Sequence, residues 1–411
     1  VNMKKLIKKL LKALLWFSVS VLGIILLYIL FNLNIFHSLK PLTPGNRNKL
    51  VTAILKDSTD PFRYIADKFD THAVVFLGEL HKRKQDLLFF NNLIPYLYRE
   101  KKITIIGWEF GAAEYQQEAD SVVTAFEFDR KKAIAIMRKS MYAWCYEEYL
   151  AIFNTIWQLN KSIPAGMEKI RFLQLNKPYN PRRLYSSDPG IRQEVAKRNF
   201  DNTLPGIVEK EVIQPNKKIL IYCGLHHSLT KFQTPKFLFI KDKGRAGQQL
   251  FEKYPEKVFQ CCLLSPFPPR WFIYNELTEK ENYSYVFPFE GVFNQLYDTL
   301  KTPFALNSSN PLFAEMKDHN SFYAFDTWGG IKLRNFCDGI IMLESFDKTE
   351  PVSLIRDWVT SQEETEEVKK ILPETVSKNI KSPAELMQYI SPENNFRELQ
   401  ALHQIKKFWE E

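Results

Sequence analysis

Six short apolar runs place the tightest limit on what this 411-residue chain can fold into. They are "HAVVFLGE" (72–79), "KITIIGWEFG" (102–111), "KIRFLQLN" (169–176), "KKILIYCGLHHS" (217–228), "KVFQCCLLSPF" (257–267) and "CDGIIMLES" (337–345). Between the first four lie segments with apolar residues at helical spacing: "KQDLLFFNNLIPYLYRE", the stretch 112–159, and "DPGIRQEVAKRNFDNTLPGIVEKEV". Unbroken apolar strands alternating with helices belong to a sheet buried on both faces, and such sheets are mostly parallel. The expected fold class is therefore α/β, a mostly parallel sheet with helices on both faces.

The start of the chain follows another rule. "MKKLIKKLLK" is lysine-rich, and residues 13–36 carry no charge. A helix needs about 20 apolar residues to cross a bilayer core. No small-residue cleavage pattern follows, so an uncleaved anchor in a lipid bilayer through residues 13–36 is expected. The lysines precede the span, which puts the N-terminus in the cytoplasm and the main domain outside. The expected organisation is a cytoplasmic stub and transmembrane anchor at 1–39 and a linker and lead-in at 40–69. The α/β domain follows at 70–345, with an irregular cap-like insertion at about 270–330, and then a peripheral helical tail at 346–411.

The net charge of +9 comes partly from the N-terminal lysines. No dense basic stripe with interleaved aromatics is present, so nucleic acid is not an expected partner. The five cysteines form no C-x-x-C pair, which argues against a disulfide framework or a structural zinc knuckle.

Ligands of open α/β sheets bind beyond the carboxyl ends of the strands. Three runs here end alike, in Gly78-Glu79-Leu80-His81, Gly107-Trp108-Glu109-Phe110-Gly111 and Gly224-Leu225-His226-His227. The glycines are expected to let the backbone turn where strand becomes loop. If these strands are parallel neighbours, Glu79, His81, Glu109 and His227 or His226 converge on one edge. Two carboxylates and two imidazoles in a half-buried cleft perturb one another's ionisation. They can share a proton, activate a water or hold a divalent metal. Each alone also has a plainer reading, as a helix cap or a hydrogen-bonded core histidine.

"FLGELH", "WEFG" and "YCGLHHS" together resemble the erythromycin esterase/ChaN-like superfamily, with the TraB/TIKI group as distant kin. The likeness covers roughly residues 70–345. It implies an α/β sheet carrying Glu79 and His81, then Glu109, then His227 as catalytic residues, with His226 in support. "AKRNFDNTLPGIV" is similar to a helix of the family and would bring Arg198 and Asn202 toward the substrate. The esterase members imply a histidine base acting on water for an ester or amide. The TIKI-like members imply a metal-dependent peptidase with Glu79, His81, Glu109 and His227 as candidate ligands. The ChaN-like members imply haem binding. The expected partner is a small-molecule or peptide substrate. Asn176 stands where esterase-like members often carry an acid.

Overall fold

The structure is a computed structural model that describes residues 3–33, 42–197, 199–233, 244–270, 285–325, 327 and 329–390. The first five runs each form a strand: β1 (Val74–Glu79), β2 (Ile105–Ala112), β3 (Arg171–Asn176), β4 (Ile219–Gly224) and β5 (Val258–Leu263). Further along come β6 (Phe304–Asn307), the two short strands β7 (Lys317–Asp318) and β8 (Ile331–Lys332), and β9 (Gly339–Met342). Seven of them make one sheet in the order β3-β2-β4-β1-β5-β9-β6, and β7 pairs with β8 apart from it. Every pairing in the large sheet is parallel except β6 with β9. The fold is α/β, as the alternating runs require.

β1, β2, β4 and β5 are buried along their whole length, which is why their sequences show no polar alternation. Val75, Leu77, Ile106, Trp108 and Tyr222 pack on one face, against the helix Lys84–Lys101 and the helices of 116–162. Val74, Phe76, Ile105, Ile221 and Cys223 pack on the other, against the helices Phe200–Val208 and Ala246–Lys253. All five cysteines are free and buried. Pro95 sits inside the helix Lys84–Lys101 without ending it. The 112–159 stretch divides into the helices Gln116–Thr124, Arg130–Ser140 and Glu147–Ser162.

Three expectations about organisation need correction. The 40–69 lead-in contains two helices, Pro44–Asp57 and Pro61–Lys68, whose Leu50, Ile54, Tyr64 and Ile65 are buried. The region 270–330 is more than an irregular cap, because Phe304–Asn307 enters the main sheet as its antiparallel edge. Residues 271–284 of it lie outside the described residues. The tail is not peripheral up to residue 390. Ile355, Trp358, Leu372 and Leu386 are fully buried in the same cluster as Trp108 and Tyr222. The charged residues that made the tail look solvated occupy its outer face. Leu372→Ala is therefore expected to cost about 2–3 kcal/mol, the cost of a core cavity. Urea unfolding checks this, and a loss under about 0.5 kcal/mol would return the tail to the surface.

The N-terminal helix Met3–Leu33 stands apart from these cores. Its stretch Ile7–Phe31 is long and apolar enough to cross a membrane and is almost wholly exposed. Residues 34–36 of the expected span lie outside the described residues. Near the helix end, Tyr28 meets Phe325 edge-on with ring centroids 6.4 Å apart.

Candidate active site

Sheet order brings the three strand ends together. β4 lies between β1 and β2, so Gly224 sits at the carboxyl edge with Glu79 opposite it in register on one side. On the other side the register of β2 with β4 runs up to Trp108 opposite Tyr222. Residues level across parallel strands face the same way. Glu79 thus shares the face of Leu77 and Tyr222, while Glu109 shares the opposite face with Gly107 and Cys223. The site is built from two faces of the sheet that meet over its edge at Gly224.

On the first face, His81 Nδ1 lies 2.6 Å from Glu79 Oε1. The Glu79 side chain is fully buried and that of His81 is 33 % exposed. A carboxylate partner makes Nδ1 the protonated nitrogen and leaves Nε2 on the far side of the ring. The imidazole is fixed edge-on by Phe110 and Trp144, at centroid distances of 5.5 and 5.3 Å. The next residue, Lys82, takes the turn itself, with φ 68° and its backbone N–H donated to Tyr149 Oη at 3.1 Å. A left-handed backbone at a side chain other than glycine marks a place where the surroundings dictate geometry. Gly78 and Gly224 do not have positive φ, so the expected role of these glycines in the turn is not what the structure shows.

Gly224 serves close approach instead. A Cβ there would come within 2.7 Å of His81 Cε1, 3.2 Å of His81 Nε2 and 3.3 Å of Glu109 Oε2. This one missing side chain lets His81 from one face and Glu109 from the other reach the same spot. Gly224→Ala is expected to displace the imidazole and lower turnover about 10²-fold, the usual result of an error near 1 Å in a catalytic group. Steady-state kinetics beside an unfolding curve would separate this effect from loss of fold, and wild-type turnover would contradict it.

On the second face, Glu109 Oε2 accepts the Gly224 N–H at 2.8 Å. Its Oε1 lies 3.3 Å from His227 Nε2, and His227 Nδ1 lies 2.7 Å from Asp201 Oδ1. Asp201 also accepts from the Ala246 N–H at 3.0 Å and from Arg245 Nη1 at 3.1 Å. Burial alone would lower the His227 pKa, but the Glu109 charge and the two carboxylate bonds hold it up at about 10. Burial would likewise raise Glu109, but His227, His81 and the Gly224 N–H bring it down to about 2. Asp201 also lies below the usual carboxylate range, because His227, the Ala246 N–H and Arg245 outweigh its burial. His227 is thus a cation clamped between two carboxylates.

The cleft above has a volume of about 240 Å³. Its lining includes Glu79, His81, Gly224, His226, His227 and Arg245 on the polar side and Phe267, Tyr285 and Tyr323 on the aromatic side. His226 and His227 lie on the helical turn Leu225–Ser228 that follows β4. The His226 ring stacks on Phe322 and tilts over Tyr323, at 5.7 and 5.1 Å. Burial first, then the Arg245 and His227 charges, push its pKa down to about 3, so it is neutral.

Glu79, His81, Glu109, His227 and His226 therefore all meet at one edge. Arg198 lies outside the described residues. Asn202 does not face the site; it is exposed and its side chain donates to the Lys197 carbonyl. Asp201, one residue earlier, was the residue to find. It lies in helical register with the buried Leu204 and Val208, three and seven residues on, whereas Asn202 falls on the outer face. Arg245 was missed as well, and it carries no sequence signal beyond preceding a helix. Asn176 donates to the Glu109 carbonyl at 3.0 Å and so braces the end of β2.

A metal held by Glu79, His81, Glu109 and His227 does not fit this arrangement. Both ring nitrogens of His227 face carboxylates, so a metal at Nε2 would have to displace the proton that His227 holds beside Glu109. Among the described residues no group of three His, Cys, Asp or Glu side chains is placed to hold an ion. The described cleft, at about 240 Å³, lies below the roughly 300–1,000 Å³ of pockets for drug-sized ligands.

No family model and no curated protein matches the chain. Similar solved structures include an erythromycin esterase in its open conformation, 13% identical over 72% of this chain and 95% of that one, with a TM-score of 0.47. A succinoglycan biosynthesis protein is 11% identical over 77% of this chain and 100% of that one, with a TM-score of 0.48. ChaN of Campylobacter jejuni, solved with cofacial haem, is 10% identical over 69% of this chain and 92% of that one, with a TM-score of 0.36.

Proposed function

We propose that this chain is a membrane-anchored hydrolase in which His81 activates water against an ester or amide carbonyl. The observation that carries this reading is the 2.6 Å contact of buried Glu79 with His81 Nδ1, which turns Nε2 toward Gly224 and the cleft. A histidine held this way takes a proton in the attacking step and returns it to the leaving group. Water attacks the carbonyl carbon, its proton passes to Nε2, and the carbonyl π electrons move to oxygen. Collapse of that intermediate expels the leaving group, which takes the proton back from Nε2. Glu79 and ionised Glu109 both stabilise the imidazolium formed in between. His227 does not act on the substrate in this scheme. It neutralises Glu109 and fixes it beside His81, so that Glu109 stays ionised throughout.

The full-length chain in detergent micelles is expected to hydrolyse members of a panel of small esters and amides. In isotopically labelled water the acid product gains one labelled oxygen, and mass spectrometry of the protein during turnover shows no acyl adduct. An adduct would point to a protein nucleophile, and no turnover across the panel would reject the reading. The N-terminal helix supports an anchor, and the lysines before it favour a cytoplasmic N-terminus with the cleft on the opposite side. Protease digestion of sealed vesicles tests this orientation, because a cytoplasmic main domain would be cut without detergent only in inverted vesicles.

A further inference from the structure

The aromatic wall of the cleft is built by the same two segments that hold the end of the N-terminal helix. Residues 267–270 run antiparallel to 320–322, with Pro269 bridged to Ser321. The Phe322 N–H is donated to the Pro268 carbonyl and the Arg270 N–H to the Asn320 carbonyl, each at 2.8 Å. Phe267, Pro268 and Tyr323 of this strap line the cleft. The residues just beyond them reach the helix. The Arg270 guanidinium lies 5.1 Å from the centre of the Phe31 ring, and Phe325 meets Tyr28 edge-on at 6.4 Å. From Pro268 to Arg270, and from Tyr323 to Phe325, the backbone spans at most about 7 Å.

Tyr28 is only 9 % exposed, on a span that is otherwise almost wholly exposed. The uncharged run begins at Ala13, and about 20 helical residues cross a hydrocarbon core. Tyr28 and Phe31 therefore stand close to where the helix leaves the hydrocarbon, at the level where aromatic side chains gather. The strap that covers them lies at the bilayer surface, and so does the cleft wall that the strap forms. We infer that the cleft stands at the membrane surface and draws its substrate from the bilayer, as an amphiphilic ester with its carbonyl at headgroup level; this rests on the hydrolase reading. At about 240 Å³ the cleft holds the ester and the carbons nearest it, while the rest of an alkyl chain stays in lipid. Pro266, Phe267, Pro268 and Tyr323 give those carbons apolar surface to cover. An anchored cleft beside a substrate confined to the same membrane works at a raised effective concentration.

The test uses the full-length chain in phosphatidylcholine nanodiscs, with para-nitrophenyl acetate as the soluble ester and para-nitrophenyl dodecanoate as the bilayer-resident one. With the rate in empty nanodiscs subtracted, kcat/KM for the dodecanoate is expected to be at least about tenfold the higher. Replacing both Tyr28 and Phe31 by alanine frees the strap from the helix without touching the cleft. It is expected to lower the dodecanoate rate at least about threefold and to leave the acetate rate within about twofold. A second readout needs no turnover: a phosphatidylcholine with a diazirine beside its ester carbonyls is photolysed in the same nanodiscs, and labelled residues are mapped by mass spectrometry. Labels are expected in 266–270 or 318–325 as well as in the helix. Turnover of the acetate with no preference for the dodecanoate, or with labels confined to the helix, would overturn this inference and leave the hydrolase standing. Labels in the strap without turnover of either ester would reject the hydrolase and leave the cleft at the membrane surface. With neither labels in the strap nor turnover, both fall.

Discussion

His81→Ala is expected to lower kcat by about 10²–10⁴-fold with little change in KM, the range a positioned general base supplies. Glu79 is the reason the effect falls on kcat. Its carboxylate is fully buried and lies 2.6 Å from Nδ1, so it holds one tautomer and one ring orientation. Without the imidazole, substrate still meets the same aromatic wall, but nothing at the Nε2 position takes the proton of water. Removing the ring also leaves Glu79 short of a partner, and a buried carboxylate without its bond is costly. His81→Asn controls for this, because its carboxamide can still donate to Glu79 yet cannot act as a base. Equal losses of kcat in the two variants, with His81→Asn the more stable of them, would assign the lost rate to chemistry. Wild-type kcat in either variant would remove His81 from the mechanism.

His227→Ala is expected to be the most destabilising change at the site, costing about 3–5 kcal/mol, because it strips the cation from two buried carboxylates. The same variant should change how stability depends on pH. The Glu109 pKa is lowered in the folded state, from 4.5 to about 2. Its contribution is therefore complete above 4.5 and is lost as pH falls toward 2. The His227 pKa is raised in the folded state, from 6.5 to about 10. Its contribution is complete below 6.5 and is lost as pH rises toward 10. The wild-type site should then be most stabilising between about 4.5 and 6.5. In His227→Ala the alkaline loss from this site should vanish and the acid loss should shrink, because burial then acts on Glu109 without the charge that holds its pKa below 4.5. Urea midpoints across the pH range read both effects. An unchanged alkaline limb would mean that His227 is neutral in the folded protein.

The sequence made the sheet legible because strands buried on both faces must be apolar throughout, and six such runs stood out. The three strand ends were legible for a related reason, since polar residues directly after such runs have few places to go but the carboxyl edge. The order of the strands was not legible. That β4 lies between β1 and β2 depends on packing between distant segments, and it is this order that makes Gly224 the meeting point. The glycines were read as turn residues, but the turn went to Lys82 at φ 68° and the glycine at 224 makes room for two side chains. Asp201 was hidden by a choice between adjacent residues, although its register with Leu204 and Val208 put it on the buried face. The tail misled because its charges dominate its composition while a few apolar residues such as Trp358 carry its packing.

The central claim is that His81 is the base that activates water. The most direct measurement is ester turnover by His81→Ala with imidazole added in increasing concentration. Turnover should rise with the concentration of neutral imidazole, while Glu79→Gln, which keeps the native ring, should show no such gain. Wild-type turnover by His81→Ala without imidazole, or a lost rate that imidazole does not restore in a folded protein, would contradict it.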